Sequence, residues 1–384
     1  MGAKIFTGKY IAEVAKSNLI RVFVIENSTQ VTGAFRSTHT FCQSLSSGFE
    51  FHLGVQEGCW STHQIPNSTV HPFKFLEISR SFRTIFYLPK LLYNTIKLNR
   101  ILARHSIKVV HVGDLYNMLG VMVKILNPGI KLIYHVRLCQ SSYVSVLYKF
   151  WIGLIKKYAD SIVGVSQTVV DEVGEDPKTG VIYDALPAHW LVSKAEPLSA
   201  DPILLLYVAN YVPGKGHQYA LEVLQKLSAV GNRVHLKFVG GDLGKSRNRA
   251  YLRRLEARAR TLGIDHQVQF AGPVDEIRQE MRQAHIILNF SESESFSMVC
   301  LEALACEKPI IATRCGGPQE IIRHQTNGWL VNNKDVGDMT QAVSLLVKDQ
   351  EMRKRFSSNA RLDFKDKFNL EVQADLLANI YLSE

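Results

Sequence analysis

The chain has no uninterrupted apolar run near the ~20 residues that a membrane-crossing helix needs. The richest candidate, 143–154, is short and is broken by Lys149. Six cysteines (Cys42, Cys59, Cys139, Cys300, Cys306 and Cys315) are scattered, with no C-x-x-C pair and no Cys/His metal spacing. Three of them fall in core-like positions, where a free thiol behaves as a small hydrophobe; a reduced, cytosolic compartment is the expectation. No Asp-x-Asp pair lies near a predicted strand end, so no carboxylate-held metal and no other cofactor is expected. No G-x-S-x-G elbow is present, and no G-x-G-x-x-G follows either first strand, which argues against an NAD-dependent dehydrogenase. Residues 1–18 carry Lys4, Lys9 and Lys16 without an apolar core, so they are not expected to be a secretory signal.

What is present suits a soluble globular protein of two domains. The chain has 384 residues, 46% hydrophobic and 21% charged, more than one ordinary core accommodates. A formal net charge of +10 points to polyanionic partners such as nucleotides or phospholipid head groups. Nucleic acid fits poorly, because the basic residues are dispersed rather than clustered with aromatics.

Two βαβα blocks follow each other along the chain. In the first, strands are predicted at 19–25, 49–55, 73–78, 108–112, 131–135, 159–164 and 181–183. A polar loop, 26–35, carries Gly33 before a helix to Leu45; a loop there can cradle a phosphate, and it can equally be an ordinary βα turn. Segment 82–105 places Leu88, Leu91, Leu92, Ile96, Leu98 and Ile101 at helical spacing with basic Lys90, Lys97, Arg100 and Arg104. That basic side reads as a solvated face or as contact with an anionic membrane. Residues 184–202 hold three prolines and no periodicity and read as a linker. Beyond it, strands at 203–208, 234–239, 268–270, 286–290 and 309–312 alternate with helices at 216–228, 247–262, 276–283 and 298–306. The predicted fold is α/β: two Rossmann-like, doubly wound domains facing a cleft. The expected boundaries are 1–185, a linker 186–202, 203–365, and a C-terminal helix 366–384 packing back on the first domain.

In the second block the strand ends carry the candidate chemistry. Loop 209–216 (Ala-Asn-Tyr-Val-Pro-Gly-Lys-Gly) opens a helix and presents Lys215 between two glycines, where an ammonium can meet a diphosphate. Turns at Gly240-Gly241-Asp242 and Ala271-Gly272-Pro273 end the next two strands. Residues 290–305 run from a strand through a polar loop into a helix, with Glu294 in the loop and Glu302 in the helix. Such a junction aims backbone N–H groups at an anion. Taken alone, two carboxylates there are also what a solvated helix start shows.

The run Glu294-Ser-Phe-Ser-Met-Val-Cys-Leu-Glu302, with Pro309-Ile-Ile-Ala-Thr and Gly316-Gly317-Pro318-Gln319-Glu320, resembles the E-x7-E signature of retaining GT-B glycosyltransferases of family 4. Residues 208–216, 159–166 and 327–331 resemble further motifs of that family, so the likeness spans most of the chain. The resemblance implies sugar transfer from a nucleotide-diphosphate sugar to a glycan or lipid-linked glycan acceptor, metal-independent, in cell-surface polysaccharide or lipopolysaccharide synthesis. It implies that Glu302 binds ribose hydroxyls. Glu294 binds the donor sugar, helped by backbone N–H groups of Phe296, Ser297 and Met298. Lys215 neutralises the diphosphate, Gly33 lets the first-domain loop approach it, and His135 lies beside the donor sugar. Gly272 and Val274 lie near the base. Expected location is cytoplasmic, at the inner face of the membrane.

Three departures stand out. Asn210 occupies the position of a phosphate-pairing Arg, Asp184-Ala185 replaces Asn-Gly at the hinge, and Glu307 replaces a helix-ending Gly. Asn210 keeps open a sugar-nucleotide or glycan-binding protein without turnover. An epimerase of the same fold, converting the donor without an acceptor, is the third reading.

Overall fold

A computed structural model of the protein describes residues 19–28, 33–58, 65–76, 86–191 and 201–383. Lys4, Lys9 and Lys16, the centre of the 26–35 loop, Cys59, the start of the 82–105 segment and residues 192–200 of the predicted linker lie outside the described residues. The described chain divides into two compact units, one ending at Ala185 and including the chain from Leu370 onward, the other Leu186–Asn369.

β-Branched and aliphatic runs, buried on both faces, build the first unit's sheet. Its strands are β1 (Ile20–Glu26), β2 (Phe49–Gln56), β3 (Ser68–Phe73), β4 (Val109–Val112), β5 (Lys131–Val136), β6 (Ser161–Gly164) and β7 (Thr179–Val181). All pair in parallel, in the order β3-β2-β1-β4-β5-β6-β7. The helices are α1 (Gly33–Leu45), α2 (Tyr87–Arg104), α3 (Leu119–Leu126), α4 (Ser145–Tyr158) and α5 (Gln167–Val173). Ser166 caps α5, its hydroxyl accepting from the Val169 N–H at 3.1 Å. Right-handed crossovers set α1 on one face of the sheet and α2, α3 and α4 on the other. The C-terminal helix Leu370–Leu382 packs beside α1, closing a core with Ala374, Leu377 and Tyr381.

The second unit has β8 (Ile203–Val208), β9 (Val234–Val239), β10 (Val268–Ala271), β11 (Ile286–Asn289), β12 (Ile310–Thr313) and β13 (Trp329–Val331). They too are parallel, in the order β10-β9-β8-β11-β12-β13. Around them lie α6 (His217–Ala229), α7 (Ser246–Thr261), α8 (Ile277–Gln283), α9 (Met298–Ala305), α10 (Pro318–Ile321), α11 (Val336–Lys348) and α12 (Gln350–Lys367).

Three expectations change. The strand predicted at 73–78 lies upstream, at Ser68–Phe73, and residues 77–78 are outside the described chain. As an edge strand it tolerates Pro72 and polar residues, so it lacks the apolar run that marks its neighbours. The strand predicted at 181–183 is Thr179–Val181. The start of the predicted 184–202 linker is packed structure: Asp184, Ala185 and Leu186 are buried, and a 3₁₀ turn follows at Ala188–Trp190. Among the described residues no helix is long and apolar enough to cross a membrane.

Candidate active site

The order β10-β9-β8-β11-β12 brings the loops at five strand ends side by side, and these carry most of the predicted donor residues. Loop 209–216 follows β8 and loop 290–297 follows β11, its sheet neighbour. The Tyr207 hydroxyl ties the two loops, accepting from the Phe290 N–H at 2.8 Å and donating to the Lys215 carbonyl at 2.6 Å. The Glu292 N–H donates to the Gly214 carbonyl at 2.8 Å. Gly216 sits at φ 73°, where a Cβ would lie 2.0 Å from the Phe290 carbonyl oxygen, so the crossing of these loops requires glycine.

This framework sets Lys215 against Glu294, Nζ to Oε1 at 2.7 Å, with the two side chains only partly exposed. An ammonium has three donors, so the one given to Glu294 leaves capacity for an incoming anion. Glu294 is itself pinned by its backbone. Its N–H donates to the Cys315 carbonyl at 3.1 Å, and its carbonyl accepts from Gly317 at 2.9 Å.

Phe296, Ser297 and Met298 lead into α9. Ser297 has φ 92°, a left-handed conformation that is costly outside glycine and recurs at functional sites. Its hydroxyl caps α9 by accepting from the Cys300 N–H at 3.4 Å and from the buried Asn289 amide at 2.8 Å. Burial pushes the Cys300 thiol well above its ordinary pKa, so it stays protonated and packs as a hydrophobe. Glu302 is one turn further along α9 and buried. The helix ends in a Schellman pair, Glu307 N–H to Leu304 and Lys308 N–H to Ala303, with Glu307 at φ 55°. An ion pair with Arg361 holds Glu307 in the conformation expected of glycine.

Asn210 is exposed, and its side-chain oxygen accepts from the Gly241 N–H at 3.1 Å. It therefore anchors the β9 loop, a job for an acceptor, which arginine lacks. Gly241 in turn lies against Pro273, between exposed Gly272 and half-buried Val274. The strand-end loops thus gather Asn210, Lys215, Glu294, Phe296, Ser297 and Met298, with the 272–274 turn beside Asn210.

The first unit is a different matter. Gly33 is exposed and opens α1. His135 is fully buried, stacked on His111 with ring centroids 5.4 Å apart. His111 Nδ1 meets the Tyr381 hydroxyl at 2.6 Å, whereas among the described residues neither ring nitrogen of His135 has a hydrogen-bond partner. Burial holds His135 well below the usual histidine range, so it is neutral. The expected sugar contact is here an enclosed core residue on the face of the sheet packed by the C-terminal helix.

Sequence reasoning passes over two groups. One is a buried pair, Arg137 Nη1 to Asp184 Oδ1 at 2.8 Å, joined by Ser37 and, through Thr38, by Glu26. These are charged residues at the ends of apolar strands, and that position is the available signal. The other is Glu292, which accepts from Tyr219 at 2.9 Å and pairs with Lys334 at 2.9 Å; the Lys334 bond holds its carboxyl below the usual range. Among the described residues, no three His, Cys, Asp or Glu side chains gather as a metal site.

The first unit also has a small cavity of about 20 Å³, room for about one water, at the carboxyl end of β1 and β4, lined by Asn27, Phe75, Tyr87, Lys90, Asn94 and Tyr116 among others. Asn94 is 4% exposed; its amide donates to the Lys74 carbonyl at 3.3 Å, and its side-chain oxygen has no partner among the described residues.

Residues 190–363 match the family model described as glycosyl transferases group 1. The chain is 30% identical over 238 residues to N-acetyl-alpha-D-glucosaminyl L-malate synthase of Bacillus anthracis, covering 58% of this chain and 59% of that one. It is 26% identical over 185 residues to the lipopolysaccharide core biosynthesis glycosyltransferase LpsE of Rhizobium meliloti, covering 48% and 51%. The chain thus spans little more than half the length of the curated relatives it matches. Among solved structures it is similar to Anabaena Alr3699/HepE in complex with UDP and glucose, with a TM-score of 0.78 at 18% identity over 94% of this chain and 98% of that one. That likeness establishes the fold: α/β, with two Rossmann-like domains of the GT-B class.

Proposed function

We propose that the protein is a retaining glycosyltransferase of family 4 that takes a sugar from a nucleotide-diphosphate donor and transfers it to a glycan or lipid-linked glycan acceptor. The observation that carries the reading is the Lys215–Glu294 pair at 2.7 Å, held beside the N-terminus of α9. Breaking the sugar–diphosphate bond builds negative charge on the leaving oxygen. A lysine and a helix N-terminus, fixed in advance, stabilise that charge without a metal.

In this reading the diphosphate recruits Lys215, Glu294 holds donor-sugar hydroxyls, and Glu302 holds the ribose. Backbone N–H groups of Phe296 to Met298 face the diphosphate, and Gly272 and Val274 line the base. The acceptor oxygen bonds to the anomeric carbon on the face that the diphosphate leaves, and its proton passes to the departing phosphate oxygen. Configuration is retained with no protein nucleophile. The first unit reads the acceptor, with Gly33 at the donor phosphate. His135 keeps a donor-sugar role here only if its ring becomes exposed. The relative named for lipopolysaccharide core biosynthesis supports a place in cell-surface glycan assembly; the same reading places the protein at the cytoplasmic face of an anionic membrane.

The test is release of free nucleotide from UDP-, GDP- and ADP-sugars with and without candidate acceptors. Glu302→Ala should weaken nucleotide binding. Nucleotide binding without release under any acceptor would favour a silent binding protein, and donor conversion without acceptor would favour an epimerase.

A further inference from the structure

Three successive helices on one face of the first sheet, α2, α3 and α4, contain 18, 8 and 14 residues and not one Asp or Glu. They contain eight lysines and arginines, in a chain whose whole net charge is +10. The three helices pack in sequence, α2 on α3 and α3 on α4.

The same helices leave large apolar side chains in solvent. Leu88, Leu92, Tyr93 and Ile96 on α2 are each more than half exposed. Val146 and Phe150 on α4 are 76% and 59% exposed, and Ile125 and Leu126, 49% and 57% exposed, end α3. Along α2 the ridge Leu88, Leu92, Ile96, Arg100, Arg104 steps by four residues and winds across the exposed side, apolar at its first three positions and cationic at its last two. Arg100, Arg104 and Lys149 are exposed, and among the described residues none of them is in an ion pair. A water-facing helix layer normally mixes acids with bases and keeps its apolar residues inward.

We propose that this face is a docking surface for an anionic phospholipid bilayer, with the apolar row entering the head-group boundary and the cations meeting lipid phosphates. The lack of any acid on 40 residues of helix selects a polyanionic partner, and the apolar stripe selects one with a hydrocarbon interior. The opposite edge of α2 supplies Tyr87, Lys90, Leu91 and Asn94 to the first-unit cavity.

The test is co-sedimentation of the full chain with vesicles, without donor or acceptor, so that its outcome is independent of the transferase assays. Phosphatidylglycerol–phosphatidylcholine vesicles should bind the protein and pure phosphatidylcholine vesicles should not. R100Q/R104Q/K149Q should lose affinity on the order of 100-fold, about fivefold per cation. L92S/F150S keeps every charge and should lose at least tenfold. Both sites are exposed, so an unchanged thermal midpoint serves as the folding control. R253E/R254E on α7, a basic helix without an exposed apolar row, should bind as the unmodified chain does. Failure to bind anionic vesicles overturns the proposal. So does binding lost in the α7 variant and kept in the other two. A concentration-dependent dimer, abolished by L92S/F150S in a chain that ignores vesicles, would assign the face to a second copy instead.

Discussion

Replacing Gly317 by alanine tests whether the Glu294 loop is held by a backbone-to-backbone approach. Gly317 has φ −48° and ψ −37°, a helical conformation that alanine prefers. On conformational grounds the change should stabilise by about 0.4–1 kcal/mol through the unfolded chain. The structure predicts the opposite sign. A Cβ at this position would lie 2.2 Å from the Phe296 Cα and 2.4 Å from its carbonyl oxygen. These are backbone atoms and cannot rotate aside, so one loop must move by most of an ångström. Overpacking of this kind costs about 1–3 kcal/mol, enough to outweigh the entropic gain. A fall of roughly 2–8 °C in the midpoint of the second unit is expected for a domain of this size.

The functional consequence should be larger than the thermal one. Phe296 leads directly into Ser297 and Met298, so the shift displaces the N–H groups assigned to the diphosphate. A misplacement of about 1 Å can lower turnover about 10²-fold. The assays are differential scanning fluorimetry with and without nucleotide, and donor turnover. Gly153→Ala is the control: Gly153 lies within α4 with nothing inside 4 Å of its would-be Cβ. That change should stabilise by about 0.5–1 kcal/mol. A Gly317→Ala protein with a raised midpoint and unchanged nucleotide affinity would refute the argument.

Other perturbations probe the remaining parts. Asp184→Ala leaves the Arg137 guanidinium buried without its carboxylate and should cost about 3–5 kcal/mol; Asp184→Ala with Arg137→Met should recover much of that, and equal midpoints for both variants would contradict it. His111 and His217 are held by burial at about 3 and about 4, below the unfolded value near 6.5. The unfolded state therefore binds more protons once the pH drops below 6.5, and stability should fall steadily from there toward pH 4, as urea titrations at stepped pH would show. Asp114 shifts the other way. Burial raises it to about 7, so its contribution to stability declines as pH rises from 4 to 7, and Asp114→Asn should raise the midpoint at pH 8 more than at pH 4.5. Asn210→Arg adds a phosphate-pairing cation but removes the acceptor that holds Gly241, so donor affinity should gain little, as calorimetric titration with donor would show.

What can be read from the chain depends on whether a signal is local. β8 and β9 match the predicted 203–208 and 234–239 to the residue, because β8 is a largely aliphatic run and β9 alternates apolar Val234, Leu236 and Phe238 with His235 and Lys237. Helix α3 escapes such reading since Leu119–Leu126 is short and carries a single charged residue, Lys124, so as a brief apolar run it reads as strand or helix alike. Strand β3 is displaced from its predicted place because an edge strand containing Pro72 has no apolar run to show.

The site follows the same division. Each strand-end loop announces itself by its own glycines and charges, but a parallel sheet pairs loops from strands far apart in sequence. Lys215 and Glu294 are separated by 79 positions and meet because β8 neighbours β11, an adjacency that no local pattern encodes. The same holds for Arg137 and Asp184, 47 positions apart. His135 shows the opposite division. Its place at a strand end is legible, yet which face of the sheet it takes, and that Leu370–Leu382 covers that face, depends on a helix more than 200 residues away. Asn210 is the sharpest case. Read alone it is a phosphate clamp missing its charge; beside Gly241 it is a hydrogen-bond acceptor that arginine could not replace. Asn210 therefore keeps the loop in place, and on the proposed reading, in which Lys215 meets the diphosphate, donor binding should be more sensitive to Lys215→Ala than to Asn210→Ala.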